Sequence, residues 1–282
     1  MKMNALRPFA ASREATAPMP VLFLGHGSPM NAIEENVFNA NFQKLGHELD
    51  TPKAILCISA HWETRGTMVT AMRQPPTIHD FRGFPRELSE VQYPAPGSPE
   101  LAETVKGMVH SGDVALDHKW GLDHGAWSVI KHLYPKADVP VIQLSLDYTK
   151  SPREHLELAL ELALLRTKGV LVIGSGNIVH NLGLVAWDKV AGEPFAYDWA
   201  AQANQRMKEL VLDGDLATLA DFGKQGRAFD LAIPTPEHFL PLLYSAALRG
   251  TNEDVTVFND QPVAGSLSMT SFLFGQRPTL PY

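Results

Sequence analysis

The 282-residue chain has a single cysteine, Cys57. One thiol closes no internal disulfide and builds no cysteine-rich zinc site. Cys57 lies inside an apolar run, so it reads as a small core residue rather than a nucleophile. A reducing compartment, the cytoplasm, is the expectation. Basic blocks are missing too. With 24 Lys and Arg against 31 Asp and Glu, the formal net charge is -7 and the pI about 5.9. Nucleic acid and anionic membrane surfaces are therefore poor partners. No apolar run approaches the roughly 20 residues that a membrane-spanning helix needs. The N-terminal stretch carries Lys2, Arg7 and Arg13 without a continuous apolar segment, which argues against a secretory signal. Residues 1–19 are expected to form a flexible tail or an extension packed at the edge of the domain.

Several catalytic signatures are also absent. Gly25-His26-Gly27 and Gly174-Ser175-Gly176 each lack the third glycine of a dinucleotide fingerprint, and no phosphate-loop lysine follows a glycine-rich turn. Ser175 is not in a nucleophile elbow, because Ile173 stands where that motif has glycine. No helix carries two histidines around a glutamate in the metalloprotease spacing. There is no internal repeat and no low-complexity linker.

What remains is ordinary globular material: 45% hydrophobic and 20% charged residues, with a mean hydropathy of -0.10. Short apolar runs bounded by turn residues predict strands at 21–24, 54–60, 68–71, 139–145, 170–173, 255–258 and 268–274. Helices are predicted between them. Ser98-Pro99 starts one, the capping box from Ser151 to Glu154 opens another over 153–167, residues 195–212 read as amphipathic, and Thr235-Pro236 starts one over 237–248. Alternating strands and helices imply a single α/β domain over 20–282, with a mostly parallel central sheet flanked by helices. Residues 74–99, rich in Pro, Gly and aromatics, have little regular signal, and such loops on a rigid scaffold are often functional.

In open α/β sheets ligands sit beyond the carboxyl ends of the strands. Three predicted strands each deliver a histidine there: His26 after 21–24, His61 after 54–60 and His180 after 170–173. His238 falls in the first predicted turn of the Thr235-initiated helix, and His124 in the turn Gly121-Leu122-Asp123-His124-Gly125. Imidazole is a common ligand of iron, zinc and copper, held in place by outer partners on its second nitrogen. Such a set at equivalent topological positions predicts a mononuclear metal site. Gly25 and Gly27 allow backbone and substrate to come close to His26. Among the remaining histidines, His47, His110, His132 and His155 lie in helical patterns and read as surface or packing residues. His118 reads as a loop residue, and His79 is a candidate for the substrate loop. Trp62, Trp120 and Trp127 are candidates for pocket wall or core, and Ser28 for substrate contact.

These motifs resemble a known family. Leu24-Gly25-His26-Gly27-Ser28-Pro29-Met30, Ser59-Ala60-His61-Trp62-Glu63, Asp123-His124-Gly125-Ala126-Trp127, Gly174-Ser175-Gly176-Asn177 with His180-Asn181-Leu182, and Thr235-Pro236-Glu237-His238-Phe239 are similar to the class III extradiol ring-cleavage (LigB-like) dioxygenases. The similarity is to the DOPA 4,5-dioxygenase branch and its bacterial members, and it runs from about residue 20 to the C-terminus. It implies one α/β domain and a non-haem Fe(II) site that binds a catechol for attack by O2, with Zn(II) also suited to a three-histidine site. His26 and His61 match the two histidine ligands. His180 matches the acid/base histidine and is a candidate fourth ligand when substrate is absent, while His124 matches a histidine lining the substrate pocket. Protocatechuate-type members use a glutamate as third ligand, whereas here Glu237 and His238 are adjacent. Successive helical side chains diverge by about 100°, and the DOPA-type branch points to His238. A zinc-dependent hydrolase, and a binding protein like the Memo-type members of this fold, are the alternatives. A catechol and O2 are the expected partners; the composition is also compatible with a homo-oligomer.

Overall fold

The structure, a computed structural model, describes residues 17–190 and 193–276. All but the end of the expected N-terminal tail lies outside the described residues. Met19, near its end, is tied to the body: its amide donates to Arg166 O (3.1 Å) and its carbonyl accepts from Arg166 Nε (2.6 Å).

Among the described residues ten strands form: β1 (Val21–Gly25), β2 (Ala54–Thr64), β3 (Thr67–Thr70), β4 (Val114–Asp117), β5 (Val141–Asp147), β6 (Val170–Gly176), β7 (Val255–Phe258), β8 (Pro262–Val263), β9 (Leu267–Ser268) and β10 (Ser271–Phe274). Eight of them make one sheet in the order β4-β3-β5-β2-β6-β1-β10-β7, while β8 and β9 pair separately. Its centre, β5-β2-β6-β1, is parallel, and antiparallel pairings flank it at β3–β5, β1–β10 and β10–β7. The domain is thus α/β with a mostly parallel sheet, as its alternating pattern implies. β1 and β2 lie on either side of β6, so the carboxyl ends of three parallel strands meet side by side.

Both faces of the sheet are apolar, and strand periodicity divides them. Val21, Phe23, Leu56, Ile58, Val170 and Val172 enter one core, under the helices Pro99–Met108, Pro152–Glu161, Asp198–Asp213 and Leu240–Ala247. Leu22, Leu24, Ile55, Cys57, Leu171 and Ile173 enter the other, under Val37–Glu48 and His124–Leu133. Cys57 is a buried free thiol in that second core, and burial pushes it well above its ordinary range. No helix among the described residues is long and apolar enough to cross a membrane.

Several elements differ from expectation for local reasons. The helix predicted over 153–167 is two, Pro152–Glu161 and Leu164–Thr167. They are separated where Leu162 and Leu165 bond three residues back rather than four, turning both side chains inward. The helix predicted from 195 starts at Asp198, because Phe195 and Ala196 are held extended against Gly265. The run 268–274 splits because Ser268 pairs with Pro262 whereas 271–274 pair with β1 and β7. The helix predicted over 237–248 begins at Leu240; residues 237–239 form a turn whose His238 carbonyl is taken by Asn177 N (2.9 Å). His124 is not in a turn but is the first residue of a helix capped by Asp123, and His110 lies just past the end of Pro99–Met108. Strand β4 has no counterpart among the predicted elements, while the helices Val37–Glu48 and His124–Leu133 give bounds to the helical patterns read around His47 and His132.

Candidate metal centre

His26 follows β1 directly, and its amide donates to Gly176 O (3.1 Å), extending the ladder by one rung. Asn31 Nδ2 holds its carbonyl (2.9 Å). The chain then turns away through Gly27, whose φ of 62° is a left-handed conformation that glycine adopts without strain. The ring is fixed by its neighbour in the sheet. Ser175 Oγ donates to Gly125 O (2.5 Å), which commits its only proton. It can therefore only accept from His26 Nδ1, 3.0 Å away, and His26 Nε2 keeps a free lone pair.

His61 lies within β2, which continues past its expected end at a place where the register with β5 slips between Ile58 and Glu63. Such irregularities re-aim side chains near functional sites. Ser59 Oγ accepts from the His61 amide (3.2 Å) and donates to Asp123 Oδ1 (2.6 Å). His61 Nε2 and His26 Nε2 converge to 3.1 Å.

His124 is held by Asp80, whose Oδ1 accepts from the His124 amide and Oδ2 from Nδ1, both at 2.9 Å. Its ring packs on His61 with centroids 3.8 Å apart. His238 stacks on His180, at 3.5 Å and 7°, and its centroid is 5.0 Å from His61 and 5.3 Å from His26. His238 Nδ1 donates to Glu237 Oε1 (3.0 Å), which also accepts from Thr235 Oγ1 (2.8 Å). The 235–239 turn reaches this position because β6 ends in glycine: a Cβ on Gly176 would lie 2.1 Å from His238 O.

The structure thus draws His26, His61, His124, His180 and His238 into one cluster. Nitrogens of His26, His61 and His124 lie within 4.8 Å of one another, as do the donor atoms of His180, Glu237 and His238. Burial, reinforced by the other histidines, holds His26 and His61 well below the usual imidazole range. His180 is lowered to about 3, by burial first and then by His238. Burial raises the Glu237 carboxyl, but the bonds from His238 and Thr235 outweigh it and bring it to about 2. Asp80 is likewise lifted by burial and brought lower on balance by the bonds from His124. His26, His61 and His180 are therefore neutral at pH 7 and offer lone pairs, and carboxylates back the rings of His124 and His238.

That donor set fits a divalent transition metal. With metal–nitrogen bonds of about 2.1 Å, two ligand nitrogens at 90–110° lie about 3.0–3.4 Å apart; the His26–His61 separation is 3.1 Å.

The other predicted site residues sit further out. Ser28 is exposed and caps a short turn by accepting from Met30 N (3.2 Å). Trp62 is buried and stacks on Trp120 at 5.9 Å and 4°. His79 Nε2 is bonded to Val91 O (2.9 Å), and its ring packs on Phe81 and Trp127. Asp80 and Ser175 were not among the sequence candidates. Ser175 had a signal, because parallel pairing of β1 with β6 sets it opposite Leu24, two residues before His26. Asp80 had only its place beside His79, the candidate for the substrate loop.

Residues 18–257 match the family described as the catalytic LigB subunit of aromatic ring-opening dioxygenase. The chain is 46% identical over 261 residues to 4,5-DOPA dioxygenase extradiol of Escherichia coli (strain K12), covering 91% of this chain and 95% of that protein. It is 36% identical over 262 residues to 4,5-DOPA dioxygenase extradiol of Beta vulgaris, covering 89% and 95%. A crystal structure of an uncharacterized Escherichia coli K12 protein superposes with a TM-score of 0.79 at 41% identity, covering 91% of this chain and all of the other. With the fold, the strand-end histidines and these matches in agreement, the chain belongs to the LigB family of extradiol ring-opening dioxygenases.

Proposed function

We propose that the protein opens the ring of a catechol such as DOPA with O2, cleaving the carbon–carbon bond next to the diol to give a semialdehyde, and that it uses Fe(II) held by His26, His61 and His238. The observation that carries this reading is the convergence of imidazoles whose Nδ1 atoms are tied back, His26 to Ser175 and His238 to Glu237. Each is thereby left with a lone pair on Nε2, the form a metal requires. Glu237 supports His238 from behind, which favours the histidine as the ligand. Bound there, Fe(II) supplies a centre that both catechol oxygens and O2 can reach and between which electrons pass; Zn(II) fits the same donors without that redox capacity.

The chain's own residues do the rest. His180, uncharged at neutral pH because it is buried, accepts a proton from a catechol hydroxyl and returns it as the ring opens, a role suited to imidazole. Before substrate enters, the same ring would act as a further ligand. His124 lies against His61 and offers Nε2 to the substrate. Phe81, edge-on to His124 with centroids 5.7 Å apart, supplies an aromatic wall, with His79 bracing the loop behind it and Trp62 and Ser28 at the periphery. Both oxygen atoms of O2 finish in the product, one in the new carboxylate and one in the aldehyde.

The test is anaerobic reconstitution with Fe(II), then addition of DOPA and O2. Stoichiometric O2 uptake with a yellow semialdehyde is expected. A protein that binds Fe(II) yet consumes no O2 with any catechol refutes the proposal.

A further inference from the structure

Residues 71–98, between β3 and the helix Pro99–Met108, have one helical turn, Arg86–Ser89, and are otherwise irregular, but near the site they are closely tied down. Ile78 N donates to Leu122 O (2.7 Å) and Leu122 N to Pro76 O (2.9 Å). Trp127 Nε1 donates to Ile78 O (2.8 Å), and His79 Nε2 is bonded to Val91 O on the far limb of the loop. Every one of these anchors lies within a few residues of Asp80, so its carboxylate is held in place before any ligand arrives. Phe81, next along the chain, packs edge-on against the His124 ring. The Asp80-Phe81 pair therefore grips that ring from two sides.

We infer that Asp80 is a positioning residue for the proposed reaction: it locks His124 in the Nδ1–H tautomer and orientation that present Nε2 to the substrate. The carboxylate takes the His124 amide on one oxygen and Nδ1 on the other, both at 2.9 Å. It thereby fixes the ring relative to its own backbone. A carboxylate only accepts, so Nδ1 must carry the proton. Nε2 is then an acceptor with no hydrogen-bond partner among the described residues, on a ring packed directly over His61. His61 Nδ1 is 3.7 Å from the same carboxylate, beyond hydrogen-bonding distance, so the grip is on His124. Outer partners that set an imidazole's tautomer typically contribute 10–100-fold to activity or affinity.

The inference rests on the proposed activity for its kinetic arm only. In wild-type protein, the imidazole 15N shifts of His124 are expected to report Nδ1–H; an Nε2–H signal overturns the inference with no variant needed. In Asp80→Asn, the amide NH2 faces Nδ1 and should drive His124 to Nε2–H. Metal content should stay at the wild-type level while kcat falls roughly 10–100-fold, more than KM rises. Asp80→Glu, which keeps the carboxylate, should regain the Nδ1–H signal and part of kcat. Unchanged kcat in Asp80→Asn overturns the inference, as does metal loss in step with activity, which would place the effect on His61. If the wild-type protein opens no catechol at all, the activity proposal fails, while the 15N result still decides the tautomer.

Discussion

Ser175→Ala tests whether the cluster is held by its backing groups or merely by packing. Ser175 is 0% exposed, and its hydroxyl serves two groups, accepting from His26 Nδ1 and donating to Gly125 O. Truncation removes about one methylene's worth of volume but strands a buried N–H and a buried carbonyl. Each such orphan costs about 1–3 kcal/mol, so a loss of roughly 2–6 kcal/mol of stability is expected. His26 has one escape, which is to move its proton to Nε2. That places an N–H where a metal needs a lone pair, so stability is partly recovered only by weakening metal binding, by about 10–100-fold or about 1.4–2.7 kcal/mol. The two effects should appear together. Urea unfolding in the presence of EDTA measures the first, and chelator competition for Zn(II) or Fe(II) the second. Ser245→Ala is the control: that serine is equally buried and donates to Leu22 O (2.8 Å), with no bond to a histidine. It should lose about 1 kcal/mol and no metal affinity. Wild-type metal affinity in Ser175→Ala would show that the serine does not set the His26 tautomer.

Three further outcomes follow from the geometry. His26→Ala, His61→Ala and His238→Ala should each abolish stoichiometric metal binding, whereas His124→Ala and His180→Ala should keep the metal and lose about 10²–10⁴-fold in kcat. Elemental analysis of His124→Ala against His238→Ala decides which of the two completes the ligand set, since the His124 nitrogen also lies within 4.8 Å of those of His26 and His61. Gly176→Ala should yield little folded protein, because its Cβ would meet His238 O at 2.1 Å and neither backbone can yield; expression and melting temperature measure this. His155, fully buried between Tyr244 Oη and Asp147 O, has its pKa lowered to about 4 by burial. As pH falls the unfolded chain takes that proton first, so the stability from His155 is complete above about pH 6.5 and is lost on descending towards pH 4, by about 2 kcal/mol at pH 5. Urea titrations at pH 7 and pH 5 should show that difference shrinking in His155→Gln, and an equal pH dependence in both proteins counts against it.

How much was legible in the sequence depended on whether the signal was local. β1, β2 and β6 announce themselves as apolar runs ending in glycine or histidine, because a parallel strand buried on both faces has little polar character to hide it. The histidines stood out for the same reason. The helix His124–Leu133 was legible only around His132, and its start was read as a turn, since nine of its ten residues are buried, leaving no polar stripe to mark where a 3.6-residue period begins. The Thr235-Pro236 start was read a turn early: Pro at a first turn marks a helix only if the next carbonyls stay in the helix, and here His238 O is taken by Asn177. Asp80 was illegible for a different reason. Its partner is 44 residues away, beyond the helix Pro99–Met108 and β4, and nothing in the local pattern marks a carboxylate as facing inward.

The backing groups also constrain the charge balance of the proposed reaction. The three proposed imidazole ligands would leave a divalent cation's two positive charges unchanged, and the carboxylates of Asp80 and Glu237, bonded to His124 and His238, would offset them. A catechol that entered and lost its protons to bulk water would then carry negative charge with nothing to balance it in a poorly solvated site, which is costly. Keeping those protons within the pocket avoids that cost. Two imidazoles that the proposed ligand set does not use, His180 and His124, would hold them. On that proposal, five histidines assemble where three would hold the metal because two carry protons.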